Sequence, residues 1–183
     1  MRRERVGGGC LPKDIRAFRT TAAELGVTSV VSLLSNVDAI NLSRRERVTE
    51  LARESVGGSL AGQRVTVLGV AFKPNSDDIR DSPSLDICGR LAAEGAIVSV
   101  HDPVAMPNAA RIRPDLRCAA SVSEAADRAN LVLHLTEWAD YQAIDPAALA
   151  TVVARPVIVD ARCALNAAAW RAAGWTVRIL GQP

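Results

Sequence analysis

The sequence predicts an α/β protein in which residues 1–60 form a helical segment with one long helix and residues 61–183 form a doubly wound parallel sheet. Three observations carry this. From residue 62 onward, six short runs rich in β-branched residues alternate with alanine-rich stretches of helical character. Before them lies one long helical pattern that ends at Gly57 and Gly58. The composition, 183 residues that are 49% hydrophobic and 23% charged, suits a folded chain large enough to bury a core.

The first helix follows Pro12, a residue suited to an opening helical turn, and DIRAFRTTAAELG carries it to Gly26. The second runs from Thr28 to Val56 and sets Val31, Leu34, Val37, Ile40, Val48 and Leu51 near one face. A helix that long cannot be covered by residues 1–60 alone, so it is expected to pack on another subunit or another domain. The strands are expected in RVTVLGV, AIVSVHD, a weaker DLRCAA, NLVLHLT, PVIVDA and WTVRIL. Between them SPSLDICGRLAAEG, VSEAADRA, PAALATVVA and LNAAAWRAAG read as helices. Strands alternating with helices in units of this size form parallel sheets covered on both faces.

Several function classes are set aside by composition. The net charge of +2 comes from 22 basic and 20 acidic residues scattered along the chain, so no nucleic-acid or membrane partner is indicated. The basic start MRRERV has no apolar run behind it, and no stretch approaches the roughly 18–20 apolar residues that span a bilayer. A cytoplasmic protein is expected. Cys10, Cys88, Cys118 and Cys163 lie far apart, with only His101 and His134 to assist them, so no metal site or disulfide framework is indicated.

Ligands of doubly wound sheets bind beyond the carboxyl ends of the strands. On that rule AFKPNSDDIRDSP, TEW and DARC are the candidate ligand segments. The turn after the first strand holds only Gly69 and no G-x-G-x-x-G, which argues against a standard dinucleotide site. Lys73 stands where a glycine loop would cradle phosphate. It is one of only two lysines, with Lys13, in a chain that otherwise uses arginine. Asp77, Asp78 and Asp81 around Arg80 read as a solvated, ion-paired turn, with a magnesium site the weaker alternative. Arg162 can reach a phosphate or a sugar hydroxyl from the fifth strand, or serve as a plain surface arginine. His101, His134 and the three tryptophans read as structural.

In GGGCLPKD, a thiol stands between three glycines and a lysine, just before a helix. A helix N-terminus and a nearby cation both favour the thiolate, glycines admit close approach, and Asp14 can assist proton transfer. A plain surface thiol is the alternative.

Taken together, GGGCLPKD, VLGVAFKPNSDDIRDSPSLDI, TEW and DAR resemble the UDP-glucose dehydrogenase family of nucleotide-sugar dehydrogenases, over the back part of that family's proteins. The resemblance implies a Rossmann-like UDP-binding domain and an NAD-dependent, two-step oxidation of a sugar's primary alcohol to a carboxylate. Cys10 would attack the intermediate aldehyde, the thiohemiacetal would lose hydride to NAD, and the thioester would be hydrolysed with help from Asp14. Lys13 and Arg80 match positions near NAD. Gly7, Phe72, Lys73 and Arg162 match positions that bind substrate, and Asn41 matches an asparagine of the central helix. UDP-glucose and UDP-glucuronate are the implied partners, with a homodimer through the long helix. GDP-mannose or UDP-N-acetylmannosamine relatives are the runner-up within the family.

The departures are equally specific. Arg5 and Val6 replace the first two residues of the family's Gly-Phe-Gly-Gly, and Ala161 and Cys163 stand where glycine and asparagine are usual. The family's N-terminal G-x-G-x-x-G domain has no counterpart in these residues, so the chain is expected to show no turnover alone. A non-catalytic nucleotide-sugar-binding and dimerisation module, and a redox-sensing thiol protein, are the alternatives.

Overall fold

A computed structural model describes residues 10–182, with side chains from Asp14 onward. Helix α1 (Cys10–Glu24) and the 28-residue α2 (Thr28–Ser55) form a hairpin that turns at Gly26, whose φ of +71° lies in the left-handed region that favours glycine. They are followed by β1 (Arg64–Leu68), α3 (Pro83–Ala93), β2 (Ile97–His101), α4 (Met106–Ile112), β3 (Arg117–Cys118), α5 (Val122–Ala126), β4 (Leu131–His134), α6 (Ala139–Gln142), α7 (Pro146–Ala150), β5 (Val157–Asp160), α8 (Ala167–Ala172) and β6 (Thr176–Ile179). Every strand pairing is parallel, and the order is β3-β2-β1-β4-β5-β6. The strand order reverses between β1 and β4, the point at which such sheets open a crevice.

The strands form because their runs are buried on both faces. Val65, Val67, Leu68, Leu131, Val132, Leu133, Ile158 and Val159 are each at most 1% exposed, so an uninterrupted apolar run is tolerated and β-branched side chains pack well. Helix α3 starts where Ser82 accepts the N–H of Leu85 and Pro83 fills the first turn. Ser121, Asp145 and Asn166 cap α5, α7 and α8 in the same way.

The second helix departs from expectation. Its C-terminal part packs on this chain's own sheet domain, because Val48, Leu51, Ala52, Val56 and Leu60 share one hydrophobic cluster with the strands. Arg53 reaches Glu94 at 2.7 Å, Arg90 reaches Glu46 at 2.6 Å and Arg178 reaches Glu54 at 2.9 Å, all across this seam. The apolar core therefore runs through the boundary expected at residue 60. Ile40, placed on the covered face by spacing, is 54% exposed, and Leu33 is 62% exposed.

Two further differences are local. DLRCAA contributes only the two residues of β3 at the sheet edge, and α4 and α6 form where the sequence pattern gave no helix. Among the described residues no helix is long and apolar enough to cross a membrane, and no group of three or more His, Cys, Asp or Glu is placed to hold a metal ion.

Candidate functional site

The carboxyl ends of the strands carry two different constructions on either side of the switch point. On the β1–β2 side, Asp102 follows β2 and is 2% exposed. Its Oδ2 accepts the N–H groups of Val70 (2.9 Å) and Ala71 (2.8 Å) and the indole N–H of Trp138 (3.2 Å). Its Oδ1 accepts the N–H groups of Val104 (3.1 Å) and Ala105 (2.9 Å). The amides after β1 that would greet a pyrophosphate in a dinucleotide-binding domain are thus occupied by a buried carboxylate. The loop after β4 closes over the same place, since Thr136 donates its hydroxyl to the carbonyl of Ala71 at 2.8 Å. A Cβ on Gly69 would lie 2.4 Å from that of Thr136. These residues do not fit a dinucleotide at the switch point.

On the other side the strand ends open into a cleft of about 620 Å³, counting its solvent-filled mouth. Its floor is apolar, from Val48, Ile87, Leu135, Ala161 and Leu180. Asn41, Arg44 and Arg45 line it from α2, Phe72 and Asp81 from the loop after β1, Pro83 and Ser84 from the first turn of α3, and Arg162 from the turn after β5. Three guanidiniums and the N-terminal turn of an 11-residue helix thereby border one concavity. Such a helix end and such planar forks both favour phosphate oxygens.

Two of these guanidiniums, and one arginine of α1 beside the cleft, are paired with carboxylates. Arg162 donates from Nε to Glu137, three positions beyond the end of β4. Arg45 lies 3.5 Å from Asp86, and Arg16 of α1 lies 3.6 Å from Asp81. The turn that carries Arg162 is organised by Asp160, which accepts the N–H groups of Arg162, Ala164 and Leu165, each at 2.9 Å. Burial drives the Asp160 carboxyl upward, but its hydrogen bond to His134, the charge there and these amides outweigh burial, so its pKa lies below the ordinary carboxylate value. Cys163 follows at φ +53°, a left-handed conformation better suited to glycine or asparagine.

Of the residues singled out by sequence, Phe72 and Arg162 border the cleft, with Asn41. Lys73 is exposed on the same loop as Phe72 but is not among the bordering residues. Arg80 is exposed and binds Asp78 through Nε (3.0 Å) and a terminal nitrogen (2.8 Å). That grip holds the Asp78 carboxyl down at about 2. Asp14 is exposed on α1. Gly7 and the side chains of Cys10 and Lys13 lie outside the described residues, although Cys10 begins α1. Trp138, read from the sequence as structural although it lies in the TEW segment, is buried and donates its indole N–H to Asp102. Sequence reasoning missed Arg44 and Arg45, which look like the solvated side of a long helix until α2 is docked against the strand ends.

This geometry defines a doubly wound domain whose switch-point turn is sealed and whose ligand cleft lies over β4, β5 and β6. The family described as UDP-glucose/GDP-mannose dehydrogenase, UDP binding domain, matches residues 66–167, and the chain belongs to that family. A UDP-glucose 6-dehydrogenase of Rhizobium meliloti is 36% identical over 156 residues, covering 85% of this chain and 35% of its own length. The Bacillus subtilis UDP-glucose 6-dehydrogenase TuaD is 33% identical, over 97% of this chain and 38% of its own. A solved UDP-glucose dehydrogenase from Pyrobaculum islandicum superposes with a TM-score of 0.74 at 30% identity, over 93% of this chain and 38% of that one. The chain thus spans little more than a third of the length of these relatives.

Proposed function

We propose that this chain supplies the nucleotide-sugar side of a UDP-glucose 6-dehydrogenase and that the cleft over β4–β6 holds UDP-glucose. The observation that carries the reading is the convergence of Arg44, Arg45, Arg162 and the α3 N-terminus on one apolar-floored cleft. The guanidiniums suit a diphosphate, and the floor with Phe72 suits a base or sugar ring. Lys73, on the loop bordering the cleft, contributes a mobile ammonium to the same anion.

Cys10 is the proposed nucleophile and Asp14 its proton-transfer partner, with Lys13 beside them. Arg16 lies six residues after Cys10, about 9 Å along a helix, and pairs with Asp81 on the cleft border. That pairing supports a position for the start of α1 on the cleft side of the sheet. NAD, the hydride acceptor implied by the family, finds no fitting turn in this sheet. Its proposed place is a portion of the enzyme outside these residues, with Arg80 reaching toward it. The exposed Leu33 and Ile40, seven residues apart on α2, are the proposed contact with a second copy of the chain. Sedimentation of the chain tests that contact: Leu33→Glu with Ile40→Glu should yield a monomer.

Isothermal calorimetry of the 183-residue chain with UDP tests the main reading. Binding of UDP without binding of NAD is expected, and no NADH should form from UDP-glucose. Failure to bind UDP at millimolar concentration overturns the assignment of the cleft. Normal turnover by the chain alone overturns the assignment of NAD to another portion.

A further inference from the structure

His134 is the last residue of β4 and Asp160 the last of β5, and the two are register partners in the parallel ladder. They are 26 residues apart in sequence, yet Nδ1 of His134 lies 2.8 Å from Oδ1 of Asp160, with the side chains 0% and 1% exposed. The carbonyl of His134 also accepts the N–H of Ala161 at 3.1 Å, so the residue grips the following turn twice.

An ionised carboxylate has about four lone-pair sites and only accepts. Three of those at Asp160 are filled by the amides of Arg162, Ala164 and Leu165, and the imidazole fills the fourth. Nδ1 therefore carries a proton. The opposite nitrogen, Nε2, is buried without a hydrogen-bond partner among the described residues, and the ring stands edge-on to Tyr141 at 5.9 Å between centroids. A polar ring buried with half its capacity unused is costly as packing alone. Among the described residues the ring's one hydrogen-bond partner is the carboxylate that shapes the Arg162 turn.

We infer that His134 is a positioning residue, which acts through Asp160 to hold the Arg162 turn in the conformation that presents the guanidinium to the cleft. This deepens the UDP-binding reading and rests on it for the ligand. Without the imidazole donor, the carboxylate keeps an unfilled site in a dry environment and rotates toward other donors, releasing one or more of the three amides. Arg162 keeps its grip on Glu137 but loses the fixed backbone beneath it.

Two polar replacements separate this role from plain packing. His134→Asn puts a donor where Nδ1 stands, and His134→Gln puts its amide at the level of Nε2. Hydrogen exchange of the amides of Arg162, Ala164 and Leu165 reads the turn directly, and UDP titration reads the ligand. The asparagine variant should keep parent-like protection and bind UDP within about threefold of the parent. The glutamine variant should lose protection at those three amides by tenfold or more and bind UDP about tenfold more weakly, as for a lost hydrogen bond to a charged group. Parent-like protection or affinity in the glutamine variant, or equal losses in both, overturns the inference. A parent chain that binds no UDP overturns the cleft assignment instead, and the exchange rates then still decide whether His134 orders the turn.

Discussion

The β2 end and the β5 end of the sheet both finish on a buried aspartate that gathers backbone amides, yet one end is closed and the other open. Asp102 collects amides from two different loops together with the Trp138 indole, so it ties the strand ends together and uses up the donors a phosphate would need. Asp160 collects amides only from its own turn, 162–165, and takes its remaining partner from His134 on the neighbouring strand. Its turn is consequently shaped but not tied down across the crevice, and Arg162 is left at the rim of the cleft. One chemical device, a buried carboxylate on orphan amides, thus seals one half of a doubly wound sheet and builds a binding edge on the other.

The strongest way to break this comparison is at the sealed end. Asp102→Ala strips four amides and an indole N–H of their acceptor in the dry interior, and each unsatisfied donor costs about 1–3 kcal/mol before relaxation. A loss of roughly 3–5 kcal/mol in chemical denaturation is expected, with little specific effect on UDP affinity in the folded fraction. A loss below about 1 kcal/mol would mean that water replaces the carboxylate easily and that the end is not sealed.

At the open end the effect should fall on binding. Arg162→Ala should weaken UDP roughly tenfold, near 1.4 kcal/mol, while denaturation midpoints move far less than for Asp102→Ala, because the Arg162–Glu137 pair keeps contact with solvent, at 16% and 22% side-chain exposure, and losing the arginine leaves no fully buried donor unpaired. If stability fell as much as for Asp102→Ala, Arg162 would be a structural member of the sheet edge and the two ends would not differ in kind. Cys163 offers a smaller probe of the same turn. At φ +53° a cysteine carries left-handed strain, which asparagine tolerates better. Cys163→Asn should raise stability by about 0.5–1 kcal/mol, readable as a shift in thermal midpoint.

The contrast between the two ends was only partly legible in the sequence. The strands were, because RVTVL, LVLH and VIVD are buried on both faces and need apolar, β-branched residues throughout. Two of the three ligand segments were also legible in outline, since Phe72 and Asp81 of AFKPNSDDIRDSP and Ala161 and Arg162 of DARC follow strand ends and border one cleft, whereas the residues of TEW are not among those lining it. What local pattern could not show was pairing across the sheet. His134 sits among leucines and reads as core, and nothing near it in the chain points to Asp160, because register is set by the whole ladder. Arg44 and Arg45 became cleft residues only through the docking of α2 on this domain, which the apolar pattern had assigned to a partner or another domain. Short α4, Met106–Ile112, has a proline at its second residue and too few residues for a helical period to stand out.

The smallest expected effect lies just outside the sealed end, where the loop after β1 carries a third organised aspartate. Asp78 accepts three hydrogen bonds from Arg80, from Nε, a terminal nitrogen and the backbone N–H, and its carboxyl is held at about 2. A depressed folded value means that the pair stabilises the protein above the ordinary aspartate pKa, and that this contribution fades as the pH falls toward 2. Asp78 is 35% exposed and Arg80 86%, so solvent screens the pair and its stabilisation should stay below about 0.5 kcal/mol. Arg80→Ala should return the Asp78 titration, followed by carboxyl carbon shifts, toward the ordinary range while hardly moving the unfolding midpoint at neutral pH. A midpoint drop comparable to that of Asp102→Ala would show that the loop is part of the seal and would extend the closed half of the sheet beyond Asp102.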